Sequence, residues 1–502
     1  FGPPQNKNSA YFAARQTWRA FLDCWAKLGK FAAFFIPRHS QMQHRHIYKE
    51  GNPRLIIIFA GWAMDAAPFA GLRRPGYDIM VVWDYRSPDI DWSCVSGYAE
   101  ICVVAWSLGV YSAARAIRGI SSRVTLRLAV NGTMSPVDRL EGIPDDVFDG
   151  TLAGLDERNL TKFYRRVSGS RAAFESFSAK MPRRSITELK AELALFRTEP
   201  ILENEIDGRW DRAVIGRDDA IFPPANQCRA WAKHPYSLID APHLPDFQFL
   251  LDRYVVDKDM TGKRFAAGEA TYDSEASVQS GLVERMRVVM ERASLPAHMC
   301  RRGSRTIEIG SGTGKLSKVL DGYAGRFGFV EMWDMASGAP LSGPMRKFRT
   351  GDAELIMMRE PSGSADFIVS ASTVQWFNSP SRFLCECLRV LAPGGCLLVG
   401  TYVEGNLAEI SSLTGRGLPL LSLADWLKIV PAGLDVALAE EYTEVMEFDS
   451  AIDIFRHLKA TGVNSLGRGE AGLRGVIRSF PASLDGKYRI SYKPAILLLY
   501  KK

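Results

Sequence analysis

The sequence predicts two α/β domains joined in one chain of 502 residues. A chain of this length exceeds the usual size of one hydrophobic core, so two or three domains are expected. In both halves, short apolar runs closed by turn residues alternate with helical patterns, as is typical of buried parallel strands and their connecting helices. Each half also contains a sharp strand–turn–helix passage, CVVAWSLGV at residues 102–110 and IEIGSGTGKL at residues 307–316.

The composition is ordinary for a globular protein, with 46% hydrophobic and 24% charged residues. The net charge of +7 is too small to indicate nucleic-acid binding, and an acidic partner protein would suit it equally well. The eight cysteines form no CxxC pair and no Cys/His cluster with zinc spacing, so we expect a reducing, cytoplasmic setting. No apolar run is long enough to span a bilayer, and we expect no stable membrane association.

The first 41 residues precede the recognisable pattern, which begins near Met42. They contain a basic, amphipathic stretch that lacks a clean apolar segment with a small-residue cleavage site. A transit-like or membrane-surface helix is one interpretation. We favour the other, in which residues 1–41 are an upstream extension of undefined role outside the catalytic fold.

The predicted strands of the first half are LIIIFAG, DIMVVWDY, ICVVAW and VTLRLAVNG, with the helical VYSAARAIRG between the last two. Residues 155–205 are polar and helical, which predicts a helical insert that covers a site as a lid. WDRAVIGRDDAIFPP then returns to a strand and a loop. We predict a first domain over residues 42–253 and a linker without strong periodicity over residues 254–262.

The second half, residues 263–502, opens with the helical segment KRFAAGEATYDSEASVQSGLVERMRVVMERA. Strands and helices then alternate again, and the predicted strands are RTIEIG, RFGFVEMWD, ADFIVSAS and GGCLLVGTY. This order predicts a second α/β domain.

Ser107 lies at the turn between a predicted strand and a predicted helix. The nucleophilic serine of an α/β-hydrolase occupies such a turn, with small residues beside it because the strand and the helix pass close together. Gly109 fits this pattern, whereas Ala105 stands where glycine is commoner. The alternative interpretation is a serine that caps the helix beginning at Leu108.

Three further features favour a catalytic triad over a helix cap. The strand in IIIFAGWAMD ends in small residues, so the backbone N–H groups of Trp62 and Leu108 are candidates for an oxyanion hole. An acid in VIGRDDAIFPP and His243 in LIDAPHLPDF follow late strands, in the order Ser…Asp…His that an α/β-hydrolase requires. A lone acid or histidine in a loop is usually only solvated. In this order the residues predict an α/β-hydrolase domain with a helical lid.

Two neighbouring aspartates compete for the acidic position of this triad. Asp219 stands four residues before Pro223 in a G-x-x-D-x-x-x-P arrangement, and we prefer it for that reason. Asp218 remains the alternative.

The first half resembles the BioG-type pimeloyl-[acyl-carrier protein] methyl ester esterases of biotin synthesis over about residues 42–253. The resemblance rests on the blocks FAGWAMDAAPF, WDYR, VAWSLGV, AVNGTMSPVD, GIPDDVFDGTL, FYRRVSGS and IGRDDAIFPPANQ. It implies that Ser107, Asp219 and His243 carry out ester hydrolysis and that no metal takes part. That family tolerates A-W-S at the nucleophile, so Ala105 does not weaken the resemblance.

The second strand–turn–helix passage carries a glycine loop with the pattern E-x-G-x-G-x-G. Its glycines let the backbone approach a ligand closely and open a helix. The spacing differs from the dinucleotide fingerprint G-x-G-x-x-G and fits the S-adenosylmethionine loop, in which Glu308, Gly310, Gly312 and Gly314 line the methionine side. The loop therefore predicts a Rossmann-like class I S-adenosylmethionine-dependent methyltransferase domain.

Two acids downstream complete the predicted cofactor site. Asp334 ends the next predicted strand, twenty residues after Gly314, where an acid binds ribose hydroxyls. Asp352 is the candidate for the adenine amino group, with Ala353 beside it. Any one of these residues alone would be an ordinary turn or surface residue, but the ordered set predicts S-adenosylmethionine as the cofactor.

The motif Val374-Gln375-Trp376 follows the fourth predicted strand at the mouth of the cofactor cleft. Together with KRFAAGEATYDSEASVQ and TGRGLPLLSLADW, it resembles the BioC-type malonyl-[acyl-carrier protein] O-methyltransferases over about residues 263–502. That family has L-Q-W where this chain has V-Q-W. The glycine loop indicates the cofactor, and only the resemblance indicates the acceptor.

The two resemblances together imply successive steps of one pathway. The second domain methylates the free carboxylate of malonyl-[acyl-carrier protein], and after two elongations the first hydrolyses the pimeloyl methyl ester. The reactions do not cycle futilely if the esterase rejects the short malonyl ester. Methyl transfer from a sulfonium to a carboxylate depends mainly on positioning. Arg416, Gln375 and Tyr272 are candidates to orient the carboxylate, and Trp376 is a further acceptor-site candidate.

Two other hypotheses fit the same motifs. In one, a generic methyltransferase is fused to a non-catalytic, hydrolase-like scaffold; the presence of a complete candidate triad argues against it. In the other, the chain is a tailoring enzyme of secondary metabolism that acts on different substrates.

The predicted insert also carries a basic cluster. Its members are Lys162, Arg165, Arg166, Arg171, Arg183 and Arg184. A solvated charged face is the simpler interpretation. Because the carrier proteins of the implied pathway are acidic, we predict that Arg165, Arg166, Arg183 and Arg184 dock the carrier protein near Ser107.

Overall fold

The computed structural model of the protein describes residues 41–198, 208–293, 303–322, 329–335, 346–461 and 470–502. Apart from its last residue, the extension predicted over residues 1–41 lies outside the described residues. None of the helices in these ranges combines the length and the apolar character that a membrane-spanning helix needs.

The first half is built on a sheet of seven described strands in the order β1-β3-β2-β4-β5-β6-β7. Strand β1 is antiparallel to β3, and the other neighbouring pairs are parallel. Strands β4 and β5 are buried along their whole length, which explains why their sequences are continuous apolar runs. The strands are β1 (Gln43–Tyr48), β2 (Arg54–Phe59), β3 (Tyr77–Trp83), β4 (Glu100–Trp106), β5 (Val124–Val130), β6 (Arg212–Asp218) and β7 (Tyr236–Pro242).

Helix α1 (Gly109–Ala116) follows β4, and the predicted helical insert separates β5 from β6. The insert begins earlier than residue 155, because the first of its helices follows Pro144 and has two aspartates in its first turn. Side chains on one face of α3 pack into the core of the first half, so the insert is part of that core. Its described helices are α2 (Asp145–Ala153), α3 (Glu157–Ser168), α4 (Arg171–Ser178) and α5 (Ile186–Thr198).

The connection between the halves is shorter than the predicted linker over residues 254–262. Helices α6 (Pro224–Ala230) and α7 (Phe247–Tyr254) complete the first half, and α8 (Lys258–Glu275) begins after residues 255–257. The Asp257 side chain caps α8 by accepting a hydrogen bond from the backbone N–H of Met260 at 2.9 Å. This cap satisfies a backbone N–H group in the first turn of α8 and marks where the helix begins.

The second half contains a sheet in the order β10-β9-β8-β11-β12-β16-β13. Its described neighbouring pairs are parallel except at β16, which is antiparallel to both β12 and β13. This mostly parallel sheet with flanking helices is Rossmann-like, as the glycine loop predicted. The strands are β8 (Arg305–Ile309), β9 (Phe329–Asp334), β10 (Arg346–Thr350), β11 (Ala365–Ala371), β12 (Leu391–Tyr402), β13 (Leu434–Glu441) and β16 (Pro494–Lys501).

Helices cover this sheet, and a separate strand pair, β14 (Glu444–Phe448) with β15 (Tyr488–Tyr492), lies beside it. The described helices are α9 (Ser277–Arg292), α10 (Lys315–Asp321), α11 (Ala353–Met357), α12 (Pro380–Val390), α13 (Ala408–Thr414), α14 (Leu423–Lys428), α15 (Ala451–Ala460) and α16 (Glu470–Ser479).

Buried polar contacts join the two halves. Asn378 donates a hydrogen bond from Nδ2 to Glu100 Oε1 at 2.9 Å and accepts one from the backbone N–H of Val256 at 2.8 Å. Arg382 donates to the carbonyl oxygens of Val124 and Ser122. Glu100 and Val124 begin strands β4 and β5. The second half therefore packs against the amino edge of the first sheet.

Candidate active sites

The carboxyl edge of the first sheet brings together the loops that carry the predicted ester site. Trp62, Ser107, Asp219 and His243 follow β2, β4, β6 and β7, respectively. Loops that follow neighbouring parallel strands meet at one edge of a sheet. This edge is opposite the one that contacts the second half.

Ser107 sits in a strained turn between β4 and α1. Its φ of 59° lies in the left-handed region, which non-glycine residues rarely adopt. The surrounding backbone is so close that a Cβ at Gly109 would lie 2.5 Å from the Ala60 carbonyl oxygen. A Cβ at Gly132 would lie 2.3 Å from the carbonyl oxygen of Ser107 itself. Small residues around the serine are therefore a steric requirement of this turn.

A chain of hydrogen bonds connects the serine, the histidine and one aspartate. Ser107 Oγ lies 2.9 Å from His243 Nε2, and His243 Nδ1 lies 2.9 Å from Asp219 Oδ1. All three residues are buried. Asp218, the alternative acid, is exposed at the end of β6. The structure thus brings Ser107, His243 and Asp219 together in the arrangement in which an imidazole can take a proton from a serine.

Neighbouring groups hold the acid and the histidine in place. Asp219 Oδ1 accepts hydrogen bonds from the backbone N–H groups of Ile221 and Phe222, at 2.8 and 2.9 Å. Its Oδ2 accepts a hydrogen bond from Gln227 Nε2 at 2.9 Å. The His243 carbonyl oxygen accepts a hydrogen bond from Trp106 Nε1 at 2.7 Å.

Gln227 was not among the predicted site residues. It is a fully buried amide on α6, eight positions after Asp219. It is the last residue of the block IGRDDAIFPPANQ, but the block does not reveal its partner, because that contact is determined by how α6 packs against the loop.

The predicted oxyanion-hole residues lie beside this arrangement. Trp62 and Leu108 are buried, and no described residue accepts a hydrogen bond from the backbone N–H of either one. The Trp62 indole Nε1 donates to the carbonyl oxygen of Leu189 in α5 at 3.0 Å. The insert thereby fixes Trp62 while both backbone N–H groups stay available to an oxygen of a bound substrate.

The predicted basic cluster on the insert divides into two groups. Arg165, Arg166 and Arg183 are exposed, as a docking surface requires. The side chain of Arg184 is only 5% exposed. Its guanidinium pairs with the buried carboxylates of Asp84 and Glu192. The expectation of an exposed Arg184 is therefore corrected: this arginine ties the insert to the loop after β3 and is not available to a partner.

The glycine loop of the second half borders a cavity of about 150 Å³. Gly310 and Gly312 line it, with φ values of 73° and 47°. A Cβ at Gly310 would lie 1.8 Å from Thr373 Oγ1, so glycine is required there. At Gly312 a Cβ would meet no atom of the described chain within 4 Å. That position therefore borders space that a ligand can occupy.

Glu308 and Gly314, which the glycine-loop motif placed on the methionine side of the cofactor, lie just behind the cavity wall in the structure. Neither is among the residues that line the cavity. Glu308 is fully buried beneath the loop, where its Oε2 accepts a hydrogen bond from Ser317 Oγ at 2.7 Å. Burial raises the pKa of Glu308 to about 7. Glu308 thus supports the loop from below, and Gly314 precedes the first residue of α10.

Both predicted acids border the cavity, together with Ala353. Asp334 Oδ2 accepts a hydrogen bond from the backbone N–H of Gly312 at 2.8 Å. Asp352 Oδ1 accepts one from the backbone N–H of Glu354 at 3.0 Å, whereas its buried Oδ2 has no hydrogen-bond partner among the described residues. An unpaired buried carboxylate oxygen fits the adenine amino group of S-adenosylmethionine, which is a hydrogen-bond donor.

Lys258 is a cavity residue that the sequence analysis missed. It begins α8 and is buried, with Nζ 2.5 Å from Glu354 Oε2 and 3.5 Å from Asp352 Oδ1. Burial lowers the pKa of Lys258, but the carboxylates of Asp352 and Glu354 outweigh that effect and raise it. The first residue after the connection between the halves therefore holds an acid of the cofactor cavity in place.

The acceptor-site candidates are not all together. Tyr272 and Trp376 line the cofactor cavity. Gln375 does not line it, and its Oε1 accepts a hydrogen bond from Thr401 Oγ1 at 3.3 Å. Arg416 is exposed and lines a neighbouring cavity that Trp376 also borders.

Comparison with known families assigns both halves. The family model for the pimeloyl-ACP methyl esterase BioG matches residues 42–249, and the model for a methyltransferase domain matches residues 307–399. A malonyl-[acyl-carrier protein] O-methyltransferase of Bacteroides fragilis is 34% identical over 418 residues, which cover 81% of this chain and 84% of that relative. These matches confirm both predicted resemblances.

Two further comparisons each concern one half. A malonyl-[acyl-carrier protein] O-methyltransferase of Haemophilus influenzae is 28% identical over 256 residues, which cover 48% of this chain and 94% of that relative. The crystal structure of BioG from Haemophilus influenzae is 34% identical, covers 40% of this chain and 94% of that chain, and has a TM-score of 0.37.

Proposed function

Because the chain belongs to the family of the malonyl-[acyl-carrier protein] O-methyltransferases and carries a BioG-type esterase domain, we propose that it is a bifunctional enzyme of biotin synthesis. It methylates the free carboxylate of malonyl-[acyl-carrier protein] with S-adenosylmethionine. It also hydrolyses pimeloyl-[acyl-carrier protein] methyl ester to pimeloyl-[acyl-carrier protein] and methanol.

The observation that carries this proposal is the hydrogen-bonded series Ser107–His243–Asp219 in the same chain as the glycine-loop cavity. A non-catalytic, hydrolase-like scaffold has no need for three buried polar side chains in this arrangement, since burying polar groups costs free energy. We assign the α/β-hydrolase fold with a helical lid to residues 42–253 and the methyltransferase domain to residues 263–502.

Ester hydrolysis follows from the geometry of the first site. His243 Nε2 takes the proton of Ser107 as Oγ attacks the ester carbonyl, and Asp219 stabilises the imidazolium that forms. The backbone N–H groups of Trp62 and Leu108 donate to the carbonyl oxygen as it becomes negative. His243 then protonates the departing methanol. A water molecule attacks the acyl-serine in the same way and releases the free acid.

Methyl transfer requires the second site to hold two ligands in line. When bound, S-adenosylmethionine supplies an electrophilic methyl group on a sulfonium. Asp334 would accept hydrogen bonds from the ribose hydroxyls, and Asp352 Oδ2 would accept one from the adenine amino group. Gly310 lines the cavity, and Gly312 would leave room for the methionine portion. Tyr272 and Trp376 border the cavity where the acceptor enters. Because the two reactants carry opposite charges that cancel, positioning contributes more here than proton transfer does.

The test is to supply each substrate to the purified full-length protein. With S-adenosylmethionine, malonyl-[acyl-carrier protein] is expected to be converted to its methyl ester, which mass spectrometry detects. Without any cofactor, pimeloyl-[acyl-carrier protein] methyl ester is expected to lose its methyl group by hydrolysis. Succinyl-[acyl-carrier protein] is the matched acceptor control. Equal methylation of both acyl groups, or of neither, would contradict the malonyl assignment, and an unchanged pimeloyl ester would restore the scaffold hypothesis.

A further inference from the structure

A second cavity, of about 350 Å³, lies between the two halves beside the cofactor cavity. We call it the arginine cavity. Trp376 lines both cavities, so they share a wall. The first half contributes Arg212 and Arg253 to the lining, and the second half contributes Arg416. Its volume is within the usual range of small-molecule sites.

Arg212 is a buried cation that is influenced by the charges of Asp425 and Glu404 but forms a direct ion pair with neither. It is 9% exposed at the first position of β6, on the amino edge of the first sheet. Its Nη1 donates to Ser237 Oγ and its Nη2 to the Pro419 carbonyl oxygen, both at 2.8 Å. No described carboxylate lies within ion-pair distance of this guanidinium. Burial lowers the pKa of Arg212, which reflects the cost of holding its charge there.

Arg253, on α7, has a buried donor that no described residue uses. Its Nε is buried and has no hydrogen-bond partner among the described residues. The guanidinium lies 5.9 Å from the centre of the Phe249 ring and 5.8 Å from that of Tyr254. These rings hold the cation without neutralising it.

The charged side chains that line the cavity are mainly positive. Arg212, Arg253 and the exposed Arg416 line it, and Glu404 is the acid among the lining residues that the structure describes. Glu404 is itself exposed, so solvent screens its charge. Guanidinium groups bind carboxylate and phosphate oxygens through paired, charge-assisted hydrogen bonds. An anion is therefore the ligand that the lining suits.

We propose that the arginine cavity binds an anionic group of the carrier-bound acyl substrate next to the cofactor cavity, so that the first half takes part in methyl transfer. This inference rests on the proposed function. Two groups of that substrate have the required chemistry, the malonyl carboxylate and the phosphodiester of the carrier's prosthetic arm. In both cases Arg253 and Arg416 contact the anionic group of the substrate, and the buried Arg212 attracts it from the inner wall of the cavity.

The experiment measures KM for two substrates in the full-length protein. Malonyl-[acyl-carrier protein] has both anions, whereas the malonyl thioester of N-acetylcysteamine has only the carboxylate. We expect Arg253→Gln and Arg416→Gln each to raise KM for malonyl-[acyl-carrier protein] by about tenfold, the effect of one lost charge-assisted hydrogen bond. Arg212 also donates a hydrogen bond to the Pro419 carbonyl oxygen, so removing its charge would disturb the structure. The variant used at this position is therefore Arg212→Lys, which keeps the positive charge. Arg217→Gln is the control, since Arg217 is exposed and pairs with Asp240 outside the cavity.

The small thioester distinguishes the two sources of the anion. An increase in KM for the carrier-bound substrate alone assigns the phosphodiester, and an equal increase for both substrates assigns the carboxylate. Values of KM within about twofold of the wild type for both substrates, in Arg253→Gln and Arg416→Gln alike, would overturn the proposal.

A binding measurement separates this inference from the proposed function. Calorimetry with 4′-phosphopantetheine, pantetheine and malonate needs no turnover. Arginine-dependent binding of 4′-phosphopantetheine or malonate would support the cavity even in a protein that fails to methylate malonyl-[acyl-carrier protein]. Methylation by the wild type, with neither KM nor binding sensitive to the arginines, would uphold the function and reject the cavity.

Discussion

The acid of the ester site shows how single residues hold one another in place. The Asp219 carboxylate accepts hydrogen bonds from two backbone N–H groups, from Gln227 and from His243. A carboxylate held in this way keeps the histidine in the orientation that directs Nε2 at Ser107. Asp218, its neighbour in sequence, points to solvent and has none of these partners.

Replacing the nucleophile tests the ester site directly. Ser107→Ala removes the attacking oxygen and is expected to lower the hydrolysis of pimeloyl-[acyl-carrier protein] methyl ester by about 10⁴-fold or more. Methyl transfer to malonyl-[acyl-carrier protein] is expected to stay at the wild-type rate, because Ser107 lies at the edge of the first sheet that faces away from the second half. A variant that kept most of its esterase rate would rule out Ser107 as the nucleophile.

The two aspartates provide a matched pair of variants. Asp219→Ala is expected to reduce kcat for ester hydrolysis by several orders of magnitude, since it removes the group that orients and stabilises the imidazolium. Asp218→Ala is expected to leave kcat within about twofold, because exposed surface positions contribute little. Steady-state rates on the carrier-bound ester measure both. The reverse ranking would move the acid to Asp218.

At the scale of elements, the turn from β8 to α10 shapes the cofactor cavity. Gly310 and Gly312 have left-handed backbone conformations, and Gly312 borders open space. Glu308 lies buried below this turn and accepts a hydrogen bond from Ser317 of α10. The turn therefore exposes backbone to a ligand on one side and encloses a titratable carboxyl group on the other.

Gly312→Val is expected to abolish the binding of S-adenosylhomocysteine, because the added side chain enters the ligand space from a strained backbone position. Isothermal calorimetry measures the affinity. Gly363→Val is the control: Gly363 has a φ of 65° and also no neighbour within 4 Å of its Cβ, but it lies outside the cavity. Equal losses in both variants would attribute the effect to backbone strain alone.

The buried carboxyl of Glu308 predicts a pH dependence of stability. Its pKa is raised from the usual 4.5 to about 7, so the folded protein keeps a proton that the unfolded chain loses over that interval. The contribution of Glu308 to stability is therefore fully present below pH 4.5 and declines as the pH rises toward 7.

The glutamine side chain of Glu308→Gln does not titrate. The unfolding temperature of this variant, relative to that of the wild type, is therefore expected to rise between pH 5 and 7. The relevant unfolding transition is the one that S-adenosylhomocysteine shifts. Glu291→Gln, at an exposed position of α9, is expected to show no such trend. A difference between Glu308→Gln and the wild type that stayed constant with pH would contradict the assignment.

At the scale of the whole molecule, the ester site and the contact with the second half lie at opposite edges of the first sheet. Its carboxyl edge carries the ester site and the insert, and its amino edge packs against the methyltransferase half. The carrier protein must therefore present its acyl group at two separate places. The exposed arginines of α3 lie on the insert beside the first of them.

Reversing two of these charges tests the docking surface. The double variant Arg165→Glu with Arg166→Glu is expected to raise KM for pimeloyl-[acyl-carrier protein] methyl ester severalfold, since exposed ion pairs are each worth about 0.2–1 kcal/mol. Hydrolysis of a small free methyl ester should hardly change, and added salt should weaken the carrier-bound reaction of the wild type. Arg456→Glu, at an exposed position of α15, is the control. Equal losses on both esters would indicate a structural role.

Local patterns explain what the sequence alone predicted well. Apolar runs, the glycine loop and the small residues around Ser107 all depend on neighbours within a few positions, and the strands and turns follow from them. The order of Ser107, an acid and His243 along the chain predicted their meeting, because loops after parallel strands converge at one edge. The family resemblance followed from the same local blocks and was confirmed over both halves.

The remaining features depend on contacts between distant parts of the chain. Arg184 is buried because Asp84, one hundred positions earlier, pairs with it. Lys258 supports the cofactor cavity only because α8 packs against Asp352 and Glu354. The arginine cavity is lined by residues from both halves, and Arg212 donates a hydrogen bond there to the carbonyl oxygen of Pro419, 207 positions away. The sequence by itself determined the α/β character of both halves and the residue types of each candidate site, since these follow from local periodicity and spacing. Only the tertiary structure decided which charged side chains are buried, paired or left unpaired, because burial and pairing depend on how the two halves pack together.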